Sequence, residues 1–482
     1  MKKILFVASE ASPFIKTGGL ADVAKALPKA LKKKGIDARV IIPLYGKIKH
    51  EHLNDLEFIK DFSVRLNWRE KHVGLFKKVH EGITYYFIDN EFYFNRNEIY
   101  THYGHEDQGE KYAYFNYAVL ESIKYMDFQP NIIHCNDWHT GMIPLVYKKK
   151  YEMRENYGGI KFLYTIHNLK YQGVFNERIL VDHLDIPPWS IDWKNVEYYG
   201  GINFMKAGIV FSDQVNTVSE TYADEIKLSY YGEGLAGLLA SVDDKLSGIV
   251  NGIDYDENNP ENDPLIDYPY NAENFKTEKV KNKLALQEQM GLEVDASIPM
   301  LGVVSRLTDM KGFDIIRHIF EELMSYKIQF VLLGTGEREI EESFRYFENK
   351  YSDKVRANIM FSNELAHKIY AASDLYIMPS KYEPCGLSQL IALRYGTVPV
   401  VRETGGLKDT VESYNIYDNT GNGFSFKNYN AHELLFAIQR ALSLYKKKDQ
   451  WHALVYRGMI SNNSWEKSAQ KYIDIYNKLL EN

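Results

Sequence analysis

Short apolar runs alternate with apolar residues at helical spacing along almost the whole chain, and few folds accept that pattern. Residues 4–8 read as a buried strand, and after a glycine-bearing loop Leu20, Val23, Ala24, Leu27 and Leu31 recur at helical spacing. Pro28 falls inside that helix, where it is expected to kink it or remove a hydrogen bond. Further strands are expected at 39–42, 83–88, 132–135, 162–166, 215–218 and 247–250. Residues 254–275, rich in Asp, Asn and Pro, break the rhythm and read as a linker or surface excursion. The alternation then resumes with strands at 300–304, 330–333, 374–378 and 398–401. Strands apolar on both faces belong in parallel sheets covered by helices. The expected fold is therefore α/β, with two doubly wound domains joined near residue 250. Ligands of such domains sit outside the carboxyl ends of the strands, here in a central cleft between the domains.

Composition narrows the function classes. The formal charge of −7 argues against nucleic acid as a partner, which calls for a basic domain or stripe. No apolar stretch reaches the roughly 18 residues of a membrane helix, so no membrane partner is expected. The apolar run after Met1-Lys2-Lys3 is short for a signal peptide, and Glu10 ends it. Two cysteines, Cys135 and Cys385, far apart in sequence, fit a reducing compartment, and the location expected is cytoplasmic.

Three loops carry anion-binding chemistry. Lys16-Thr17-Gly18-Gly19-Leu20 follows the first strand and opens a helix, so its backbone can approach a ligand beside free helix N–H groups, with Lys16 as a charge. It is neither GxGxxG nor a P-loop, and an ordinary glycine turn is the alternative. Ser305-Arg306-Leu307 ends the strand at 300–304, with Lys311-Gly312 next; an Arg fork and a mobile Lys there suit a diphosphate, a surface pair being the alternative. Glu383-Pro384-Cys385-Gly386-Leu387-Ser388 offers a carboxylate for sugar hydroxyls and, at Gly386 and Ser388, a helix start for a second anionic group. A simple Pro-Cys-Gly turn competes with that reading.

Other segments carry less. His134, Cys135, Asp137 and His139 invite zinc, yet alternate residues at a strand end point apart and no second cluster has ligand spacing. The His102–His105 pair spans a glycine-broken loop, so no metal is expected. Asp254-Tyr255-Asp256 resembles a metal-holding DxD but lies in an acidic stretch where chance pairs occur; Gly334-Thr335-Gly336 is a lone GxG. Taken together, cationic groups with a helix N-terminus suit a diphosphate leaving group, and a carboxylate with polar strand ends suits a sugar. That combination fits a sugar-nucleotide transferase.

In their order, the motifs resemble the bacterial glycogen synthase and plant starch synthase family. They are KTGGLADV at 16–23, NDWHT at 136–140, TIHNLKYQG at 165–173, SGIVNGID at 247–254, SRL with KG at 305–312, PSKYEPCGLSQL at 379–390 and TGGLKDTV at 404–411. The resemblance spans essentially the whole chain. It implies a GT-B fold of two Rossmann-like domains, over 1–246 and 247–460, with a C-terminal helix in 461–482 crossing back to the first. It also implies retaining transfer of glucose from ADP-glucose to the non-reducing end of an α-1,4-glucan, without a cofactor. Lys16, Gly18 and Gly19 would contact the donor, with Asp22 and Asn251 nearby. Arg306 and Lys311 would neutralise the departing diphosphate, and Glu383 would hold sugar hydroxyls. Cys385, Gly386, Leu387 and Ser388 would support phosphate and sugar, while His167 lines the reacting centre and Asp137 shapes the acceptor side. Met310 replaces a frequent Gln, and Phe361 retains the aromatic expected near the adenine in a segment that lacks the family's glycine. Another GT-B transferase, or a silent glucan-binding protein, are the rival readings. A nicotinamide dehydrogenase would need GxGxxG after the first strand.

Overall fold

The computed structural model of the chain describes residues 2–96, 98–100 and 105–481. These pack as two compact units. The first comprises the chain up to Val218, Ala223–Ile249 and the stretch from Trp465 onward; the second comprises Ser219–Tyr222 and Val250–Ser464.

The first unit holds β1 (Lys3–Val7), β2 (Asp37–Pro43), β3 (Glu57–Leu66), β4 (Arg69–His80), β5 (Ile83–Asp89), β6 (Ile132–Asn136), β7 (Lys161–Ile166), β8 (Val174–Asn176), β9 (Glu197–Tyr198), β10 (Gly201–Asn203), β11 (Gln214–Thr217) and β12 (Leu246–Gly248). Its main sheet runs β12-β11-β7-β6-β1-β2-β5-β4-β3, and β8-β10-β9 form a small separate sheet. From β12 to β5 every neighbour is parallel; β4 and β3 add an antiparallel hairpin at the edge. The helix Gly19–Lys33 carries Pro28 inside it, and a second long helix, Trp465–Glu481, returns to this unit at the end of the chain. There Tyr476 Oη lies 2.9 Å from His134 Nδ1, and Lys33 pairs with Glu466 at 2.8 Å.

The second unit holds β13 (Met300–Val304), β14 (Gln329–Leu333), β15 (Val355–Asn358), β16 (Leu375–Met378), β17 (Val398–Arg402) and β18 (Phe424–Phe426). All neighbours are parallel, in the order β15-β14-β13-β16-β17-β18. Within the parallel part of each sheet the strand order reverses once, at β1/β6 in the first and β13/β16 in the second. Loops leaving the carboxyl ends there diverge to opposite sides and open a crevice, the position where doubly wound sheets bind ligands.

The stretch 254–275 is not a solvated linker. Ile266, Tyr270 and Phe275 are buried in the core of the second unit, and the buried Asp263 meets His367 Nδ1 at 2.7 Å and accepts from Tyr395 Oη at 2.6 Å. Apolar residues placed between the Asp and Pro anchor the segment, while burial of Asp263 is offset by these partners, which hold its carboxyl below the usual range.

Candidate functional site

At the β13/β16 reversal the second unit contains a cavity of about 160 Å³. Val303 to Arg306 leave β13 along one wall, Tyr376 to Met378 and Ser380 leave β16 along another, and Lys311 and Ser388 reach it from adjoining turns. The sequence-expected Arg306, Lys311 and Ser388 are thus brought together. Arg306 is exposed, whereas Lys311 Nζ donates to Glu383 Oε2 at 2.5 Å and Ser380 Oγ donates to the same oxygen at 3.1 Å. An anion entering the cavity meets one Arg and one Lys, the latter held in place by a nearly buried carboxylate.

Two glycines make this geometry possible. Gly312 has φ +79°, and a Cβ there would collide with the Pro379 carbonyl, so the turn carrying Lys311 lies flat against the β16 loop. Gly406 lies against the Glu383 loop, its N–H donating to Pro384 O at 3.1 Å, and a Cβ would strike the Cys385 carbonyl. The TGGLKDTV motif therefore buttresses the Glu383 loop from behind.

Gly386, with φ +74°, turns the chain into the helix Ser388–Arg394, for which Leu387 is the N-cap residue. Cys385 is buried, and burial pushes its thiol up to about 12, so it packs rather than reacts. Asn251, on the strand of chain entering this unit, is buried with Oδ1 unpartnered among the described residues. Phe361 is 92% exposed and lies outside the cavity lining.

In the first unit the β1/β6 reversal gathers a second set of groups. Behind β1, Thr17 N and Oγ1 both donate to Glu10 Oε2 at 2.6 Å, and Lys16 Nζ donates to Asp22 Oδ1 at 2.7 Å. Gly18 is the N-cap of the helix Gly19–Lys33, with no side-chain cap. Behind β6, Asp137 sits at φ 54°, ψ 180°, a strained backbone for a non-glycine residue. Its Oδ1 accepts from His167 N at 2.8 Å and more weakly from Asn168 N at 3.4 Å. Burial pushes the Asp137 carboxyl up to about 7, despite these amides, with the Glu10 charge adding to the rise. Burial also pushes the His167 imidazole down to about 3, and its Nε2 lies 2.9 Å from Asn136 Oδ1. Asn136 Nδ2 donates to Val7 O and His134 O, which aims Oδ1 at the ring and makes Nε2 the protonated nitrogen. A neutral His167 of fixed tautomer orients groups and is no acid at neutral pH.

Glu10 was not singled out from the sequence. Its signal was positional, a carboxylate just past a buried strand at the sheet reversal, and burial holds its carboxyl above the usual range. The metal-like histidines have other employment: both His134 nitrogens face hydroxyls, of Tyr476 and Thr165, and the buried His139 ring packs at a tilt against Trp138. No group of three metal-ligating side chains occurs among the described residues. Asp254 Oδ1 accepts from Asp256 N at 2.9 Å, closing a local turn. Of the His102–His105 pair, His102 and the intervening glycine lie outside the described residues. Among those residues no helix is long and apolar enough to cross a membrane.

Comparison with known proteins adds the following findings. The starch synthase catalytic domain family matches residues 3–241, and glycosyl transferases group 1 matches 292–456. Glycogen synthase of Clostridioides difficile is 52% identical over 480 residues, covering 99% of this chain and 100% of that protein. Glycogen synthase of Clostridium botulinum is 50% identical over 478 residues, covering 99% of each. The catalytic domain of starch synthase IV from Arabidopsis thaliana, bound to ADP and acarbose, superposes with a TM-score of 0.91 at 32% identity over 100% of both chains. Sucrose-phosphate synthase from Thermosynechococcus elongatus shares the fold alone, with a TM-score of 0.63 at 16% identity over 100% of both chains.

Proposed function

The chain belongs to the bacterial glycogen synthase and starch synthase family, and from that we propose that it transfers α-glucose from ADP-glucose to the non-reducing 4-hydroxyl of an α-1,4-glucan, with retention and release of ADP. It is a glucosyltransferase of glycogen synthesis with a GT-B fold. The observation that carries the donor assignment is the cavity at the β13/β16 reversal, where Arg306 and Lys311 meet in a site of about 160 Å³.

In this proposal residues 1–246 carry the acceptor side, 247–460 bind the donor, and 461–482 return to the first domain. The diphosphate lies against Arg306 and Lys311, so negative charge developing on the leaving oxygen meets fixed positive charge. Glu383 orients Lys311 and accepts from sugar hydroxyls, while the turn from Cys385 through Gly386 and Leu387 to Ser388 shapes the phosphate end. Lys16, Gly18, Gly19, Asp22 and Asn251 contact the donor, and Phe361 serves the base. The acceptor hydroxyl attacks the anomeric carbon from the face that ADP leaves, and its proton passes to the departing phosphate. His167 and Asp137 position the two sugars. No cofactor takes part, and the reaction belongs to the cytoplasm, where nucleotide sugars and glycogen meet.

The test is incorporation of labelled glucose into precipitated glycogen from ADP-glucose and, separately, UDP-glucose, without added metal. Strong incorporation from ADP-glucose is expected. Incorporation only from UDP-glucose overturns the donor assignment, and none from either, in folded protein, overturns the acceptor as well.

A further inference from the structure

The second unit contains another cavity, of about 360 Å³, at the opposite ends of its strands. Ala296 and Ser297 precede β13, Asp374 precedes β16 and Gly396 precedes β17, so this space opens at the amino ends of the sheet. Its lining is rich in positive charge. Lys276, Lys279 and Lys283 project from one face of the helix Phe275–Gln289, three and four residues apart, and Lys448 and His452 from one face of the helix Lys448–Ile460. Asp374 is the one carboxylate in that lining, and it is already committed to Lys283 Nζ at 2.6 Å and Met300 N at 2.8 Å.

Among the described residues, no second carboxylate lines the cavity to offset Lys276, Lys279 and Lys448. Lys279 Nζ donates to Ala371 O at 2.9 Å, Tyr370 O at 3.2 Å and Thr397 Oγ1 at 2.8 Å, all uncharged oxygens. Burial holds this ammonium down at about 7, and burial likewise lowers Lys448 and His452. Lys448 Nζ rests over the Tyr445 ring, 3.4 Å from its centre. The rest of the wall is apolar, formed by Phe275, Val280, Ala372, Trp451 and Val455. Excess positive charge in an apolar hollow is unfavourable for the empty protein and favourable for an anion that brings its own apolar surface.

We propose that this cavity is a second ligand site, taking a small organic anion that joins an aromatic or aliphatic body to a phosphate, sulfonate or carboxylate. The body lies against Phe275, Trp451 and Val455, and the anionic group faces Lys276 and Lys448, with the neutral His452 ring as a hydrogen-bond donor beside them. The site is independent of the donor assignment, because its strands are entered from the other end.

The experiment is a fluorescence titration of the full-length protein with 8-anilinonaphthalene-1-sulfonate, with saturating ADP present and phenyl phosphate as competitor. One saturable site, displaced by phenyl phosphate, is expected. The Lys276→Ala/Lys448→Ala double variant is expected to weaken it about tenfold. Ser297→Trp, at an exposed position on the rim, is expected to abolish it while glucose incorporation and thermal stability stay at the level of the unaltered protein. Absence of a saturable site, or a titration unchanged in both variants, overturns the proposal.

Discussion

Arg306 and Lys311 face the same cavity but stand in different surroundings, and their replacement is expected to report different things. Arg306 is exposed, so Arg306→Ala is expected to lower kcat by on the order of 10²-fold with an unchanged Tm. Lys311→Ala is expected to lower kcat at least as far and also to lower Tm, because Glu383 loses its 2.5 Å partner. Turnover near that of the unaltered protein in both would sink the leaving-group role. Asp137 gives a pH test. Its folded pKa of about 7 lies above the ordinary 3.8, so the folded state holds the proton more tightly and stability falls as pH rises from about 4 to about 7. Asp137→Asn keeps an acceptor for the His167 amide and suits the positive φ. It is expected to leave Tm unchanged at pH 4, where the native carboxyl is neutral, and to stabilise the protein at pH 8 by on the order of 2 kcal/mol. Calorimetry at both pH values checks this, and an equal shift at both would show that charge is not the cause. The cationic residues drew notice in sequence because they stand in the loops that follow buried strands, and the order of the motifs, not either residue alone, weighed against a plain surface pair. The strain at Asp137 and the burial of Glu10 were not legible there, since both depend on which strands become neighbours.

At the level of elements, continuous apolar runs gave away the central parallel strands, while the short outer strands β15 and β18 of the second sheet carry too few apolar residues in a row to show. The hairpin β3–β4 escaped for a different reason: as an edge with one wet face it carries Lys60, Asp61, Arg65, Lys71 and Lys77 among its apolar residues. The segment 254–275 misled in the other direction, because composition counts Asp and Pro but not which Tyr and Ile reach a core. The turns behind the strands hold the site, and Gly312 tests one of them. Gly312→Ala places a Cβ against the Pro379 carbonyl at a backbone angle that disfavours any side chain. It is expected to cost about 1–3 kcal/mol of stability and to lower kcat by pulling Lys311 from the cavity. Thermal melting alongside activity checks both, and a variant destabilised but fully active would detach the turn from catalysis.

On the scale of the whole molecule, the chain leaves the first unit at Ile249, completes the second by Ser464, and returns with the helix Trp465–Glu481. The two units therefore differ in what they need from the rest of the chain. The second is closed by a nearly continuous stretch with its own parallel sheet and core. The first lacks an element until the last residues arrive, for Trp465, Ala469, Tyr472, Tyr476 and Leu479 are buried. Tyr476 and Tyr472 also serve His134 and Asn216, two buried polar groups at the middle of the sheet. At roughly 1.5–3 kcal/mol for each large buried side chain, loss of this helix removes as much free energy as a typical domain has to spare. A fragment of residues 250–464 is accordingly expected to fold alone with a cooperative melt. A fragment of residues 1–249 is expected to be insoluble or molten until residues 465–482 are joined to it through a flexible linker. Circular dichroism in the far and near ultraviolet distinguishes these states. A cooperative melt from residues 1–249 alone, matching that of the linked form, would show that the returning helix is an ornament of the first unit and not part of its core.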